Sequence, residues 1–275
     1  MIEIPEAVEI SRQIKENITG KRIMNITAAF SPHKFAWYYG DHQKYHDIMA
    51  DKVVGSAAGV GSMVEIMVED YVILFGEGVA IRYHEENEKR PQKHQLLIEF
   101  DDFSSLSASV QMYGSLGCFK EGTLENQYYA IAKEKPSPFS EVFTAEYFDR
   151  IVSAQENSGL SAKALLATEQ RIPGLGNGVL QDILFNAGIH PKRKVKTFSD
   201  TDKKELYDSV KNTLAEMTFQ GGRDTEKDLF GCSGGYKTKL SKNTVDKPCR
   251  VCGQLIRKEN YLGGSIYYCP TCQPI

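Results

Sequence analysis

The sequence lacks several features that would assign a chain to a specialised class of protein. Its 275 residues contain no run of eighteen apolar side chains, which argues against a membrane-spanning helix. The first residues are polar and do not resemble the apolar core of a secretion signal. Internal repeats and low-complexity tracts are also missing. With a net charge of −3, 41% hydrophobic and 25% charged residues, we expect a soluble globular protein of the cytoplasm, associated with the nucleoid.

The six cysteines are unevenly distributed along the chain. Four of the six cysteines follow the spacing C-x2-C-x16-C-x2-C, namely Cys249, Cys252, Cys269 and Cys272. Two close thiol pairs across a short span are what tetrahedral zinc needs, so the pattern predicts one structural Zn²⁺. Two disulfides are a less favoured alternative, because no secretion signal precedes them. A redox pair is less favoured still, because both thiol pairs are expected on turns and not at a strand-to-helix junction. Cys118 and Cys232 remain as free thiols, which fits a reducing compartment.

The segment between the thiol pairs predicts a zinc ribbon or β-hairpin finger. Residues 254–257 and 265–268 are typical of short strands, and Gly263-Gly264 indicates the turn. Residues 234–275 contain seven Lys and Arg against two Asp and Glu, a charge of +5 that leaves −8 for the rest of the chain. A basic segment with interleaved tyrosines on an acidic protein favours a phosphate-bearing partner. A solvated charged face on a structural knob is the alternative.

The first half of the chain predicts one helix followed by β structure. Apolar residues recur at helical spacing over residues 5–18, with Gly20 ending the helix. Residues 22–119 then read as short strands separated by turn residues. The clearest strand patterns cover 22–30, 62–68, 71–75, 79–84, 95–100 and 105–112. This spacing favours a sandwich or a barrel.

The second half predicts four helices before the hairpin. Pro136 to Phe139 mark a boundary. The expected helices cover 144–155 with Thr144 as N-cap, 161–169, 179–187, and about 200–217 with Ser199 as the cap. We therefore predict three domains at residues 1–135, 136–233 and 234–275.

Four short sequence motifs link the chain to a known family by their order along the chain. They are Glu3-Ile4-Pro5-Glu6, Gly174-Leu175-Gly176-Asn177, Ala187-Gly188-Ile189-His190-Pro191 and Cys269-Pro270-Thr271-Cys272-Gln273. Together they resemble the formamidopyrimidine-DNA glycosylase/endonuclease VIII family of base-excision repair. The resemblance covers nearly the whole chain. It implies an α+β fold with an N-terminal β-sandwich, a helix–two-turn–helix domain and a zinc-finger hairpin, with DNA in the cleft between the halves. The implied partner is double-stranded DNA, damaged or abasic, bound by a monomer.

The resemblance also implies DNA-binding residues. Gly176 and Asn177 precede a helix, where backbone N–H groups and the helix dipole favour a phosphate. A tight helix–helix turn capped by Asn177 is the alternative. Lys93 and His94 match a Lys-His motif near DNA, or else merely begin a strand. Gln111 and Tyr113 align with wedge residues that fill the gap left by a flipped base.

The implied chemistry is N-glycosidic bond cleavage followed by β-elimination. In the family, the secondary amine of an N-terminal proline attacks the sugar and forms a Schiff base, and an adjacent glutamate moves protons. Glu3 occupies the glutamate position here, and Glu6 is a second candidate catalytic carboxylate. Both are equally well explained as acidic residues that stabilise the start of a helix.

Three positions depart from the family pattern. Ile2 occupies the position of the proline, and the initiator Met is expected to remain before so bulky a residue. Ser62 and Gly264 stand where the family has a lysine and a phosphate-binding arginine. The sequence therefore predicts a damaged-DNA-binding protein of the endonuclease VIII type that is a poor or inactive classical glycosylase. A non-catalytic module for abasic or distorted DNA is the alternative, and an RNA-binding relative is a third possibility.

Overall fold

A computed structural model describes all residues from 1 to 275, and they form two compact units. The first, here the β unit, consists of Met1–Ala130 and Gln220–Gly235. The second, here the helical unit, consists of Ile131–Phe219 and Tyr236–Ile275. Residues 220–235 thus pack with the N-terminal part of the chain. The predicted three-domain division stays a prediction, because packing does not measure which segments fold independently.

The β unit is a two-sheet sandwich with an N-terminal helix, as predicted. Its helices are α1 (Ile4–Ile18), α2 (Tyr45–Met49) and α3 (Gln127–Glu134), the last of which continues into the helical unit. Its strands are β1 (Ile23–Ala28), β2 (Ala36–Tyr39), β3 (Val54–Val60), β4 (Met63–Val68), β5 (Tyr71–Phe75), β6 (Val79–His84), β7 (Leu96–Phe100), β8 (Ser105–Val110) and β9 (Gly114–Lys120). One sheet has the order β1-β7-β8-β6 and the other β2-β9-β5-β4-β3.

The first helix contributes an apolar face to the core of the sandwich. Ile10, Ile14 and Ile18 are fully buried, and they join one cluster with side chains of both sheets. Burying such a side chain stabilises the fold by roughly 1.5–3 kcal/mol. Helix α1 therefore has a fixed position on the sheet, which is unusual for a chain terminus.

Sequence patterns missed several elements of the β unit. Strand β3 is rich in small residues and lacks the β-branched alternation that identifies a strand. Strand β2 pairs in parallel with β9, a long-range partner that local sequence does not specify. Helix α2 is five residues long, too short for a periodic signal. The six strands that were predicted are present: residues 71–75 and 79–84 match, and the ends of the other four strands are shifted by one or two residues.

The helical unit contains the four predicted helices. They are α4 (Ala145–Ser153), α5 (Ala162–Ala167), α6 (Val179–Asn186) and α7 (Asp200–Phe219). Thr144 caps α4 by accepting a hydrogen bond from the Tyr147 N–H, as predicted. Ser199 caps α7, because its hydroxyl accepts from the Asp202 N–H at 3.1 Å. Helix α5 ends earlier than expected, and Glu169 and Gln170 after it adopt positive φ values that no α-helix allows.

The C-terminal hairpin is present, but its turn lies one residue earlier than predicted. Strands β10 (Arg257–Tyr261) and β11 (Gly264–Tyr268) pair antiparallel, with Tyr261 opposite Gly264. The two-residue turn is therefore Leu262-Gly263, with φ of +48° and +71°. A tight hairpin turn of this kind needs positive φ at both positions, and Leu262 adopts it despite its side chain. Gly264 itself begins β11.

No helix of the structure combines the length and the apolarity needed to cross a membrane.

Candidate functional site

The N-terminus of the β unit is held by a residue far along the chain. The amino group of Met1 forms an ion pair with the carboxylate of Glu226. Ile2, at the position where the family has its proline, is 6% exposed and belongs to the hydrophobic core. The terminal amine and the side chain of residue 2 therefore both have partners within the unit.

Arg223 connects the same distant segment to the start of α1. Its Nη2 and Nε lie 2.7 and 2.9 Å from the Glu6 carboxylate, and its backbone N–H donates to Glu6 at 3.1 Å. Its Nη1 lies 3.6 Å from Glu3, and its Nη2 donates to the Met1 carbonyl at 3.2 Å. Burial alone lowers the pKa of Arg223, but the carboxylates of Glu3 and Glu6 outweigh burial and raise it. The guanidinium is thus permanently charged.

The contacts of Glu6 bear on its candidate catalytic role. Its carboxylate also accepts the Glu3 backbone N–H at 3.1 Å, in the arrangement of a capping box at the start of α1. The Glu6 carboxylate is bonded to Arg223 and to the backbone at the start of α1. These contacts favour the interpretation that Glu6 stabilises the helix. The catalytic assignments of Glu3 and Glu6 stay predictions.

A cavity of about 260 Å³ lies beside Met1 in the β unit. Its lining includes Met1, Ile2, Gln111, Tyr113 and Glu226. The Tyr113 hydroxyl lies 3.5 Å from the Met1 sulfur. The structure therefore brings the two predicted wedge residues together with the N-terminus.

Glycine is required on one wall of this cavity. Gly78 has a φ of +80°, and a β-carbon there would lie 1.8 Å from the carbonyl oxygen of Tyr113. Because backbone cannot move aside as a flexible side chain can, any other residue at position 78 would displace the Tyr113 segment. Close packing of two backbones thus sets the position of Tyr113.

Lys93 and His94 lie elsewhere in the β unit and do not line this cavity. The His94 ring stacks on exposed Phe30 with centroids 4.7 Å apart and an angle of 5°, and its Nδ1 lies 3.1 Å from the Pro91 carbonyl. Lys93 is exposed next to it. Their assignment to DNA contact stays a prediction.

In the helical unit, the predicted phosphate-binding turn is bonded to the hairpin. Asn177 precedes α6, and its Nδ2 donates to the Ser265 carbonyl of β11 at 3.0 Å. Gln181 adds a second link, since its Oε1 accepts the Tyr267 N–H at 2.9 Å and its Nε2 donates to the Asn177 carbonyl at 2.8 Å. The Asn177 side chain therefore positions the hairpin and does not cap its own helix. Its buried Oδ1 has no hydrogen-bond partner.

The four C-terminal cysteines meet in one cluster that could hold a metal ion. All four sulfurs lie within 4.8 Å of one another. The Cys249–Cys272 and Cys252–Cys269 sulfur pairs are 3.8 and 3.4 Å apart, too far for disulfide bonds. Four thiolates around zinc at about 2.3 Å would lie about 3.8 Å apart, so the donor set and spacing fit that ion. Backbone N–H groups of Val251 and Cys272 approach two of the sulfurs.

The comparisons with known proteins agree with this structure. No protein-family model matches the chain. The formamidopyrimidine-DNA glycosylase of Shouchella clausii (strain KSM-K16) is 27% identical over 281 residues, which cover 100% of this chain and 99% of that protein. The formamidopyrimidine-DNA glycosylase of Prochlorococcus marinus (strain MIT 9312) is 31% identical over 195 residues, 68% of this chain and 65% of that protein. A solved complex between the Lactococcus lactis Fpg and DNA containing an abasic site has a TM-score of 0.84 at 20% identity, over 99% of this chain and 100% of that one.

The chain belongs to the formamidopyrimidine-DNA glycosylase/endonuclease VIII family.

The sequence did not identify several polar residues that connect distant segments of the chain. Arg223 and Glu226 have no distinctive spacing, and their roles depend on contacts more than 200 residues away in sequence. Asp182 accepts the backbone N–H groups of Lys239 and Leu240, each at 2.8 Å. Burial raises its pKa to about 6. In these cases the function of a polar side chain is to anchor a distant segment.

The end of the hairpin is anchored in the same way. Gln273 is fully buried, accepts the Cys269 N–H at 3.0 Å and donates to the Ile189 carbonyl at 2.9 Å. The His190 ring packs edge-on against Tyr268 at 4.4 Å. Residues 187–191 and 269–273, two of the sequence motifs on which the family resemblance rests, are therefore in direct contact.

Proposed function

We propose that this protein binds damaged duplex DNA in base-excision repair and is a poor or inactive classical glycosylase and abasic-site lyase. The observation that carries the proposal is the ion pair between the Met1 amino group and Glu226 beside the cavity. It occurs in a chain whose residue 2 is Ile2 and not proline. The family's fold is retained, and the group that performs the family's covalent chemistry is replaced.

The chemical argument concerns the nucleophile. Schiff-base formation needs a neutral amine whose lone pair attacks the anomeric carbon of the sugar. The Met1 amino group is held in an ion pair with Glu226 and belongs to a primary amine, and the nitrogen of Ile2 is part of a peptide bond. Retaining Met1 also moves the amine by up to about 3.5 Å along the chain. A displacement of about 1 Å can already cost on the order of 100-fold in rate.

DNA binding is supported by features of each unit taken separately. In the helical unit, the Gly176–Asn177 turn and the +5 segment 234–275 offer hydrogen-bond donors and positive charge to phosphates. We assign one Zn²⁺ to the four-cysteine cluster, where it would stabilise the hairpin that contacts this turn. In the β unit, the cavity beside Gln111 and Tyr113 offers space next to the wedge residues. We assign it to an abasic or flipped nucleotide, which must leave the base stack.

The relatives support the same partner. The solved Lactococcus lactis protein of the same fold is in complex with DNA containing an abasic site. The Shouchella clausii relative is named as a formamidopyrimidine-DNA glycosylase.

Two measurements on the purified protein test the proposal. Affinity is compared for otherwise identical duplexes with a tetrahydrofuran abasic analogue or an undamaged pair, and we expect at least about tenfold tighter binding to the first, which is roughly 1.4 kcal/mol. Equal affinities would contradict damage recognition. Borohydride is then added to duplexes that contain a true abasic site or an oxidised base. We expect weak trapping at the abasic site and none at the oxidised base, whereas strong trapping at both would show a relocated nucleophile and an active enzyme.

A further inference from the structure

A groove with an apolar floor lies in the helical unit between the end of α6 and residues 244–251. It has a volume of about 380 Å³ and is called the α6 groove below. Phe185, in the last turn of α6, and Ile256 form its floor, and both pack in the apolar cluster that contains Cys249 and Cys269. The volume is in the range of small-ligand sites, so the groove has room for a bulky side chain.

The wall of the α6 groove exposes apolar side chains to water. Val251 is 73% exposed, and Pro248 on the same wall is also exposed. The backbone of Val251 is held in place, because its N–H lies 3.4 Å from the Cys249 sulfur. Exposed apolar side chains beside a concave apolar floor are typical of interaction sites. A partner that covers this wall would remove apolar surface from water, which favours association.

Three cations line the α6 groove, and none of its lining residues is acidic. They are Lys239, Lys247 and Arg250, and none of them forms an ion pair in the structure. The Lys239 Nζ donates to the neutral Asn186 Oδ1 at 2.7 Å. The Lys247 carbonyl accepts the Ile256 N–H at 3.0 Å, which fixes this cation next to the floor. The groove therefore combines an apolar floor with uncompensated positive charge.

The α6 groove and the turn assigned to DNA lie at opposite ends of one helix. Asn177 precedes the first residue of α6, and Phe185 is the residue before the last. The eight residues of the helix span about 12 Å at a rise of 1.5 Å per residue. A partner in the groove therefore does not need to displace a phosphate at the turn.

We propose that the α6 groove docks an acidic peptide segment of a partner protein, in which a bulky apolar side chain lies between carboxylates. The apolar side chain would cover Phe185 and Ile256, and the carboxylates would pair with Lys247 and Arg250. Such charge complementarity around an apolar anchor gives specificity and affinity together. Duplex DNA is the competing occupant, but it presents phosphates at its surface and keeps its bases stacked, so the apolar floor would remain uncovered. The inference does not depend on the proposed DNA-binding function.

Three variants separate the apolar contribution from the charge. Val251→Ser removes the exposed apolar side chain of the wall without changing the charge. Lys247→Glu with Arg250→Glu reverses the charge of two exposed lining residues. Lys242→Glu with Lys258→Glu is the matched control, because both lysines are exposed in the same basic segment and neither lines the groove. Zinc content and thermal unfolding verify that each variant keeps its metal and its fold.

The experiment uses the full zinc-loaded chain and two short fluorescent peptides. In one peptide Asp alternates with Leu, and in the other Asp alternates with Ser, so that only the apolar side chains differ. Fluorescence anisotropy should show at least about tenfold tighter binding of the Asp–Leu peptide by the wild-type protein. Reversing Lys247 and Arg250 should weaken this binding at least about tenfold, and Val251→Ser should weaken it several-fold. The control variant should change it by less than about threefold.

The outcomes also decide between the peptide and DNA. No binding of the Asp–Leu peptide, equal affinity for the two peptides, or equal losses in the groove variant and the control variant would each show that the inference is wrong. A saturating duplex with a tetrahydrofuran abasic analogue should leave the peptide bound. If this duplex displaces the peptide, and the groove variant loses more DNA affinity than the control variant, the groove belongs to the nucleic-acid surface and the inference is overturned. A protein that binds the peptide but no DNA would contradict the proposed function alone.

Discussion

Arg223 and Glu6 form a buried ion pair in which both side chains are less than 5% exposed and Nη2 lies 2.7 Å from the carboxylate. The pair joins the segment 220–235 to the first turn of α1, next to Met1. The position of the N-terminus thus depends on a residue more than 200 positions away.

Replacing Arg223 by Met should lower the free energy of unfolding by about 3–5 kcal/mol, because it leaves the Glu6 carboxylate buried without a partner. Denaturant unfolding measures the loss. Lys204→Met is the control, since Lys204 forms an exposed i,i+4 pair with Asp208 on α7 and its loss should cost less than about 1 kcal/mol. Similar losses in both variants would show that the buried pair has no special role.

Exposing a proline at position 2 should increase covalent trapping. In Ile2→Pro with Met1 removed, the terminal secondary amine begins at the family's position, and a pKa near 8 leaves a neutral fraction at pH 7. Borohydride trapping on an abasic duplex should rise above the wild-type level, and mass measurement verifies the new terminus. Ile2→Ala with Met1 removed is the control, because it exposes a primary amine at the same place. No gain in the proline variant would mean that Glu3 or the surrounding cavity is not arranged for this chemistry.

Asn177→Ala should weaken DNA binding roughly tenfold for all duplex sequences alike. The variant removes one donor from the proposed phosphate site and the bond to the Ser265 carbonyl, and a hydrogen bond to a charged group contributes about 1.5–3 kcal/mol. Asn186→Ala at the end of the same helix removes a bond to Thr213 and should leave affinity unchanged. A silent Asn177→Ala, or a loss confined to one sequence, contradicts the assignment.

The hairpin should depend on one bound zinc ion. Metal analysis should return about one zinc per chain, and chelation or Cys252→Ser should unfold the hairpin while the β unit keeps its own unfolding transition. Cys232→Ser, at an exposed free thiol, should retain the metal. A chain without zinc in which all four cysteines form disulfides would overturn the assignment.

The start of α7 should lose stability in acid. Hydrogen bonds from Arg193, and then from Ser199, lower the pKa of Asp202 to about 2. Since the folded-state pKa lies below the unfolded value, this contribution is present above about pH 4 and is lost as the pH falls toward 2. Asp202→Asn should therefore destabilise the protein by about 2 kcal/mol at pH 7 and by much less near pH 2.5. Unfolding curves at both values test this, with Asp208→Asn as an exposed control. An equal loss at both pH values would contradict the argument.

Local sequence determined the elements that have a strong periodic or chemical signal. The 3.6-residue period located α1 and α7, turn residues separated most strands, and the thiol spacing located the four-cysteine cluster. The caps Thr144 and Ser199 were also predictable, because a side chain that bonds a backbone N–H three residues away acts within one turn.

Only the tertiary structure decided how the polar residues are used. Glu226 contacts Met1, Arg223 contacts Glu6, Asn177 contacts Ser265, and Lys163 lies beside Gly264. These partners are separated by 88 to 225 positions, and a buried charge or amide is satisfied by whichever group the packing of the core brings within hydrogen-bond distance. Sequence periodicity reports which face of an element is buried, but it carries no information about which distant element covers that face.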